Sequence, residues 1–178
     1  MRGLLKVIDL LCGAGAAVGA LACLALAVML VVEVITTSFF AWSQPWAVEY
    51  SGYLLAPTLF AGAGWTLSRG GHIRVAVLLD MMPPAMLRAV DLACSAAALL
   101  VTAYVTQALT HNALRSLEIG TVSYYPSRTP VWIPQMVLAV GWGLLTLGVL
   151  ARLLRLVAGE PPETPRATAK ADPAGGAS

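Results

Sequence analysis

Residues 10–32 read LLCGAGAAVGALACLALAVMLVV, 23 positions without a charge, bounded by Asp9 and Glu33. A helix rises about 1.5 Å per residue, so roughly 20 apolar residues cross a hydrocarbon core about 30 Å thick. The run shows no two-residue alternation, which points to a membrane-spanning helix and not to a barrel strand. Three more charge-free windows follow: 50–68 between Glu49 and Arg69, 92–110 between Asp91 and His111, and 129–151 between Arg128 and Arg152. The sequence therefore predicts an all-α integral membrane protein with four transmembrane helices, at about 10–32, 50–68, 92–110 and 132–151.

Composition leads to the same class. The 178 residues are 58% hydrophobic and 11% charged, with a mean hydropathy of +0.78, whereas soluble domains carry about 25% charged residues. A water-soluble globule and a disordered chain are both excluded. The net charge of +2 is too small to indicate nucleic acid. The first window exceeds the roughly 7–15 residues of a signal-peptide core, so it reads as a retained span. Cys12, Cys23 and Cys94 all fall inside windows. Cys12 and Cys23 would lie about 16 Å apart along one helix, too far to pair.

Nine of the eleven Lys and Arg residues sit in the N-terminus, the second loop or the C-terminal stretch; only Arg115 and Arg128 lie in the first and third loops. By the positive-inside rule both termini are expected in the cytoplasm. Val34 to Val48 is uncharged, rich in Thr and Ser and interrupted by Pro45, and is expected to lie along the interface. The second loop runs from Arg69-Gly70-Gly71-His72-Ile73-Arg74-Val75 to Pro83-Pro84 and reads as a second short interfacial segment. Residues 1–157 are thus expected to form a four-helix transmembrane domain, and 158–178, rich in Pro, Ala, Thr and Gly, a disordered cytoplasmic tail. Phe39, Phe40, Trp42, Trp46, Tyr50 and Tyr53, with Tyr124, Tyr125 and Trp132, crowd the opposite face. They read as an interfacial aromatic belt or as a docking rim for an extracytoplasmic partner.

Helices in lipid associate through small residues. Gly15 and Gly19, Ala93 and Ala97, and Gly62, Gly64, Gly141 and Gly148 offer such surfaces. Groups for chemistry are scarce. The only lysines, Lys6 and Lys170, belong to no phosphate-binding loop. His72 and His111 fall on opposite membrane faces, which does not suit an axial haem pair. No nucleophile is spaced with a histidine and an acid. No window carries a central charge, as ion-coupled sites tend to do, although Ser95, Thr102, Thr106 and Gln107 could bond between helices or line a path. The residues read as a membrane scaffold that is not an enzyme, with no catalytic, substrate-binding, metal-binding or cofactor-binding position.

Four spans with cytoplasmic ends, Glu49 opening the second, Arg69-Gly70-Gly71-His72-Ile73-Arg74-Val75 on the cytoplasmic side, and Thr129-Pro130-Val131-Trp132-Ile133-Pro134-Gln135 leading to Gly141 resemble the small permease subunit of tripartite ATP-independent periplasmic (TRAP) transporters. The likeness covers nearly the whole chain up to Arg155. It departs at Ala76, where relatives often carry an acidic residue. The resemblance implies a bacterial inner-membrane protein in a system that imports an organic acid by sodium symport. A periplasmic substrate-binding protein delivers the cargo, and a large multi-span permease subunit binds sodium and substrate. The small subunit would scaffold that large subunit without binding substrate. Gly15, Gly19, Glu49, Arg69, His72, Arg74 and Trp132 become candidates for subunit or lipid contacts, an Arg beside anionic headgroups being worth about 1 kcal/mol. The basic members could equally serve only to fix topology. The rival class is a tetraspan anchor for a redox or other enzyme complex.

Overall fold

The computed structural model describes residues 2–70 and 83–159; the predicted interfacial segment with His72 and Arg74, and the tail from residue 160, lie outside the described residues. Five helices follow one another: α1 (Arg2–Phe40), α2 (Ala47–Phe60), α3 (Ala63–Ser68), α4 (Pro84–Ile119) and α5 (Trp132–Val157). Three of them, α1, α4 and α5, are long and apolar enough to cross a membrane.

The first, third and fourth predicted spans each lie inside one long helix. The charge-free window underestimates each helix, because a charge at the lipid boundary does not stop backbone hydrogen bonding. α1 in particular continues past Glu33 through Val34–Phe40, where the sequence suggested an interfacial loop. It stops at Ala41, whose φ of +50° breaks the right-handed run. The Trp42 N–H then folds back to the Thr36 carbonyl at 3.2 Å.

The second predicted span is not one continuous helix. It forms α2 and α3 with a turn at Ala61–Gly62 between them. Pro57 lies inside α2 and removes one N–H from the ladder. The Ala61 N–H bonds to the Pro57 carbonyl and the Thr66 N–H to the Gly62 carbonyl, both at 3.0 Å. Ala61 and Gly62 both keep right-handed dihedrals. Both bonds have the α-helical span of four residues, so the backbone stays coiled through the interruption.

Close packing surrounds the interruption. On α1 the buried residues are Leu5, Ile8, Cys12, Gly15, Gly19 and Ala22. Their spacing alternates between three and four, the seam of a left-handed helix pair. α2, α3 and α5 all pack against this stripe. A Cβ at Gly64 would lie 2.5 Å from the Leu144 carbonyl oxygen and 3.0 Å from Cys12 Sγ, so α1, α3 and α5 meet there at backbone distance. The core beside it consists of Leu5, Ile8, Cys12 and Ala151, with Leu147 and Leu154 packed against them. α4 stands to one side, with its main contact on α5. There the Thr106 and Thr146 hydroxyls bond at 3.0 Å, and Ala113 is fully buried.

Candidate functional site

Polar side chains gather at the two ends of the helices. At one end stand two arginines of α5, Arg152 and Arg155, each 7% exposed. Arg155 Nη2 donates to both oxygens of Asp9 on α1, at 2.8 and 2.6 Å. Arg152 Nη2 donates to Asp91 Oδ1 on α4 at 2.9 Å, and its Nε to the Ser95 hydroxyl at 3.2 Å. The three long helices are therefore tied at one level by two ion pairs. Guanidinium groups suit this position because each offers several fixed donors and sheds water more readily than an ammonium.

At the other end, Glu33 and Glu49 form no ion pair among the described residues. Glu33 of α1 accepts the Ser43 hydroxyl at 2.8 Å, the Thr37 hydroxyl at 3.2 Å and the Gln44 N–H at 3.1 Å. It thereby straps the turn 41–46 back onto α1. Glu49, buried in the first turn of α2 and outside the 50–68 window, accepts the Tyr53 hydroxyl at 2.7 Å and the Ser127 hydroxyl. Burial works against its charge. Hydrogen bonding to Ser127, Ser123, Tyr53 and Thr129 outweighs that penalty and holds the carboxyl below its ordinary range.

Ser127 and Thr129 belong to the connection between α4 and α5, which is folded. α4 ends on Gly120 at φ +70°. The Thr121 N–H bonds to the Ser116 carbonyl at 3.0 Å and the Gly120 N–H to the Leu117 carbonyl at 3.2 Å, the paired bonds of a glycine-terminated helix. A bridge between Val122 and Pro130 closes a small loop, with the Ser123 N–H on the Thr129 carbonyl at 2.9 Å. Arg128 sits at φ +46°, a conformation that costs a residue with a Cβ about 1–2 kcal/mol. Its N–H bonds to the Tyr125 carbonyl at 2.9 Å, and the Thr129 hydroxyl lies 3.3 Å from the Tyr50 hydroxyl.

The predicted candidates separate in space. A Cβ at Gly15 would meet the Ala61 carbonyl oxygen at 2.5 Å, and one at Gly19 the Pro57 carbonyl oxygen at 3.1 Å, so both glycines are occupied by packing within this chain. Arg69 follows α3 and lays its guanidinium over the Trp65 ring, 5.4 Å from the centroid. Trp132 opens α5 and is half-buried. Of the candidates among the described residues, Glu49 alone joins a polar cluster. Sequence reading missed the ion pairs, because Asp9, Asp91 and Arg152 entered it as window edges and Arg155 as a topology charge. The signal was present: opposite charges stood at matched depth on the same side of three windows. Among the described residues no three His, Cys, Asp or Glu side chains come together as a metal site would require.

These features define a small, multi-pass, all-helical membrane protein whose polar groups tie its own helices together. A sequence model of the family described as "Tripartite ATP-independent periplasmic transporters, DctQ component" matches residues 26–159, and the chain belongs to that family. A search of curated proteins found no significant match. The family is that of the small permease component of TRAP transporters, so the chain is a transporter component, as the sequence motifs suggested.

Proposed function

We propose that this protein is a scaffold subunit that enlarges the membrane-anchored part of a sodium-coupled importer of organic acids while binding neither sodium nor cargo. A large permease subunit carries the transport site, and a soluble periplasmic protein delivers the substrate. α2 and α3 together make the second crossing: neither alone reaches about 30 Å, but the 19 coiled residues from 50 to 68 come to about 29 Å. Four crossings then leave both termini in the cytoplasm of a bacterial inner-membrane protein, the arginine pairs at the cytoplasmic end, and Glu33 and Glu49 at the periplasmic end.

The observation that carries this reading is the engagement of Asp9, Asp91, Glu33 and Glu49 by groups of the same chain. A carboxylate already held by an arginine or several hydroxyls is a poor ligand for a coupling cation, which would have to displace them. The outward faces are apolar, with Leu10 and Leu21 of α1 and Leu100 and Tyr104 of α4 well exposed, as suits lipid or a neighbouring membrane subunit.

Reconstitution tests it. Proteoliposomes holding this chain alone should take up no organic acid under an inward sodium gradient. Those holding it with the large permease and supplied with the binding protein should accumulate substrate. Sodium-driven uptake by this chain alone would overturn the scaffold reading.

A further inference from the structure

α1 carries carboxylates at two depths. Asp9 is paired with Arg155 at one end of the bundle. Glu33 lies about 36 Å further along the helix, past the far edge of an apolar core about 30 Å thick and within the headgroup layer beyond it. From Glu33 back to Leu21, one face of α1 lines a groove of about 450 Å³, bounded near Glu33 by Gln44 and Trp46. The stretch is about 18 Å long, which takes it from the headgroup layer almost to the bilayer midplane, the depth of one leaflet. Its apolar side is open: Leu21 is 67% and Val28 55% exposed, so little of the described chain covers it.

The mouth of the groove is acidic and has no counter-charge, since no Lys or Arg lines it. Among the described residues, Glu33 Oε1 accepts the Ser43 and Thr37 hydroxyls, whereas Oε2 accepts only the Gln44 N–H. A carboxylate offers about four lone-pair sites, so Oε2 has room for one more donor. One acceptor is too little for a coupling ion, whose whole hydration shell must be replaced. It is enough for a single N–H of an ammonium group. Trp46, half-exposed at the same level, is a residue type that settles among lipid headgroups.

We propose that this groove binds a phospholipid with a primary-ammonium headgroup, phosphatidylethanolamine being the simplest. One acyl chain lies along α1 from Val32 to Leu21, and the ammonium donates to Glu33 Oε2. A choline headgroup has no N–H to give, and a glycerol headgroup brings net negative charge to an uncompensated carboxylate. The lipid completes the polar surroundings of Glu33, which this chain fills on one oxygen only. The site requires that α1 cross the bilayer and does not depend on the transport role.

Photolabelling tests it. The full chain is placed in phosphatidylcholine nanodiscs, alone and together with the large permease subunit. Trace phosphatidylethanolamine, phosphatidylcholine or phosphatidylglycerol, each with a photoreactive group in its acyl chain, is added at equal amounts, and labelling of the peptide Leu21–Val32 is measured. The ethanolamine probe should label about tenfold more than either other probe, the scale of one charge-assisted hydrogen bond. Glu33→Gln should abolish that excess, while its amide oxygen still accepts the Ser43 and Thr37 hydroxyls and holds the turn. Val28→Trp, which fills the groove and leaves Glu33 in place, should abolish it as well. Equal labelling by the three probes in the unsubstituted chain would mean ordinary boundary lipid and overturns the proposal. An excess that survives Glu33→Gln overturns it too. So does loss of labelling when the large subunit is present, which would show that a subunit helix occupies the groove.

Discussion

The two ends of this helical bundle hold their charges by opposite means. At one end Asp9 and Asp91 face Arg155 and Arg152, in bonds that cross 146 and 61 positions of sequence. At the other, Glu33 and Glu49 are surrounded by hydroxyls and an N–H, and Glu33 takes all of its partners from within eleven positions. The first arrangement fastens helices to each other. The second fastens loops to helix ends. A buried charge without its partner is costly, whereas a hydroxyl removed from a carboxylate leaves other hydroxyls in place. The ion-pair end should therefore control the stability of the whole bundle, and the carboxylate end the shape of what projects from it.

Breaking an ion pair is the sharpest test of that contrast. Asp9→Leu leaves the Arg155 guanidinium, whose side chain is 9% exposed, without its partner and should cost about 3–5 kcal/mol, read as a lower unfolding midpoint in detergent. Asp9→Leu combined with Arg155→Leu should recover much of the loss, because no isolated charge remains. Equal losses in the single and double variants would show that packing, and not pairing, sets stability there.

A middle-sized effect is expected at the backbone contact of α1, α3 and α5. Gly64→Ala places a methyl 2.5 Å from the Leu144 carbonyl oxygen and 3.0 Å from Cys12 Sγ. The helices must separate, at about 1–3 kcal/mol, in the same unfolding measurement. Gly52→Ala is the comparison, since a Cβ there meets nothing within 4 Å. If both substitutions behave alike, the close contact is not limiting.

The smallest and most local effect belongs to Glu49. Its carboxyl is held below the ordinary range, so the anchoring it gives the α4–α5 loop is complete above the unfolded carboxylate pKa. That anchoring is lost as pH falls through the lower folded value. Protease nicking at Tyr124–Arg128 should stay constant from neutral pH into mildly acidic conditions and rise only at more acid pH. Glu49→Gln should raise nicking at neutral pH while the unfolding midpoint scarcely moves. A large fall in the midpoint would erase the distinction between the two ends.

How much of this was readable in advance depends on the range of the interaction. Residues 10–32, 92–110 and 132–151 announced helices because charge-free length is a local property, and lipid leaves such a segment few alternatives. The glycines were legible as contact points but not their partners: Gly15 and Gly19 looked ready for another subunit and are filled by Ala61 and Pro57 of this chain. The break at Ala61–Gly62 had a local sign in Pro57, yet a proline inside an apolar window can also bend a continuous helix. Glu49 was recognised as a boundary charge. Its partners Ser127 and Ser123 lie more than seventy positions away in a stretch with no motif, so nothing local could have named them.

By itself, then, the sequence determined which segments leave water and supplied the motifs of the family, since both depend on residue type and spacing along a single strand of chain. The tertiary structure decided which aspartate meets which arginine, where the second span divides into two helices, and that the loop beyond α4 is folded. Those outcomes depend on the depth and rotation at which neighbouring helices settle, and close backbone packing fixes both only after the helices have met.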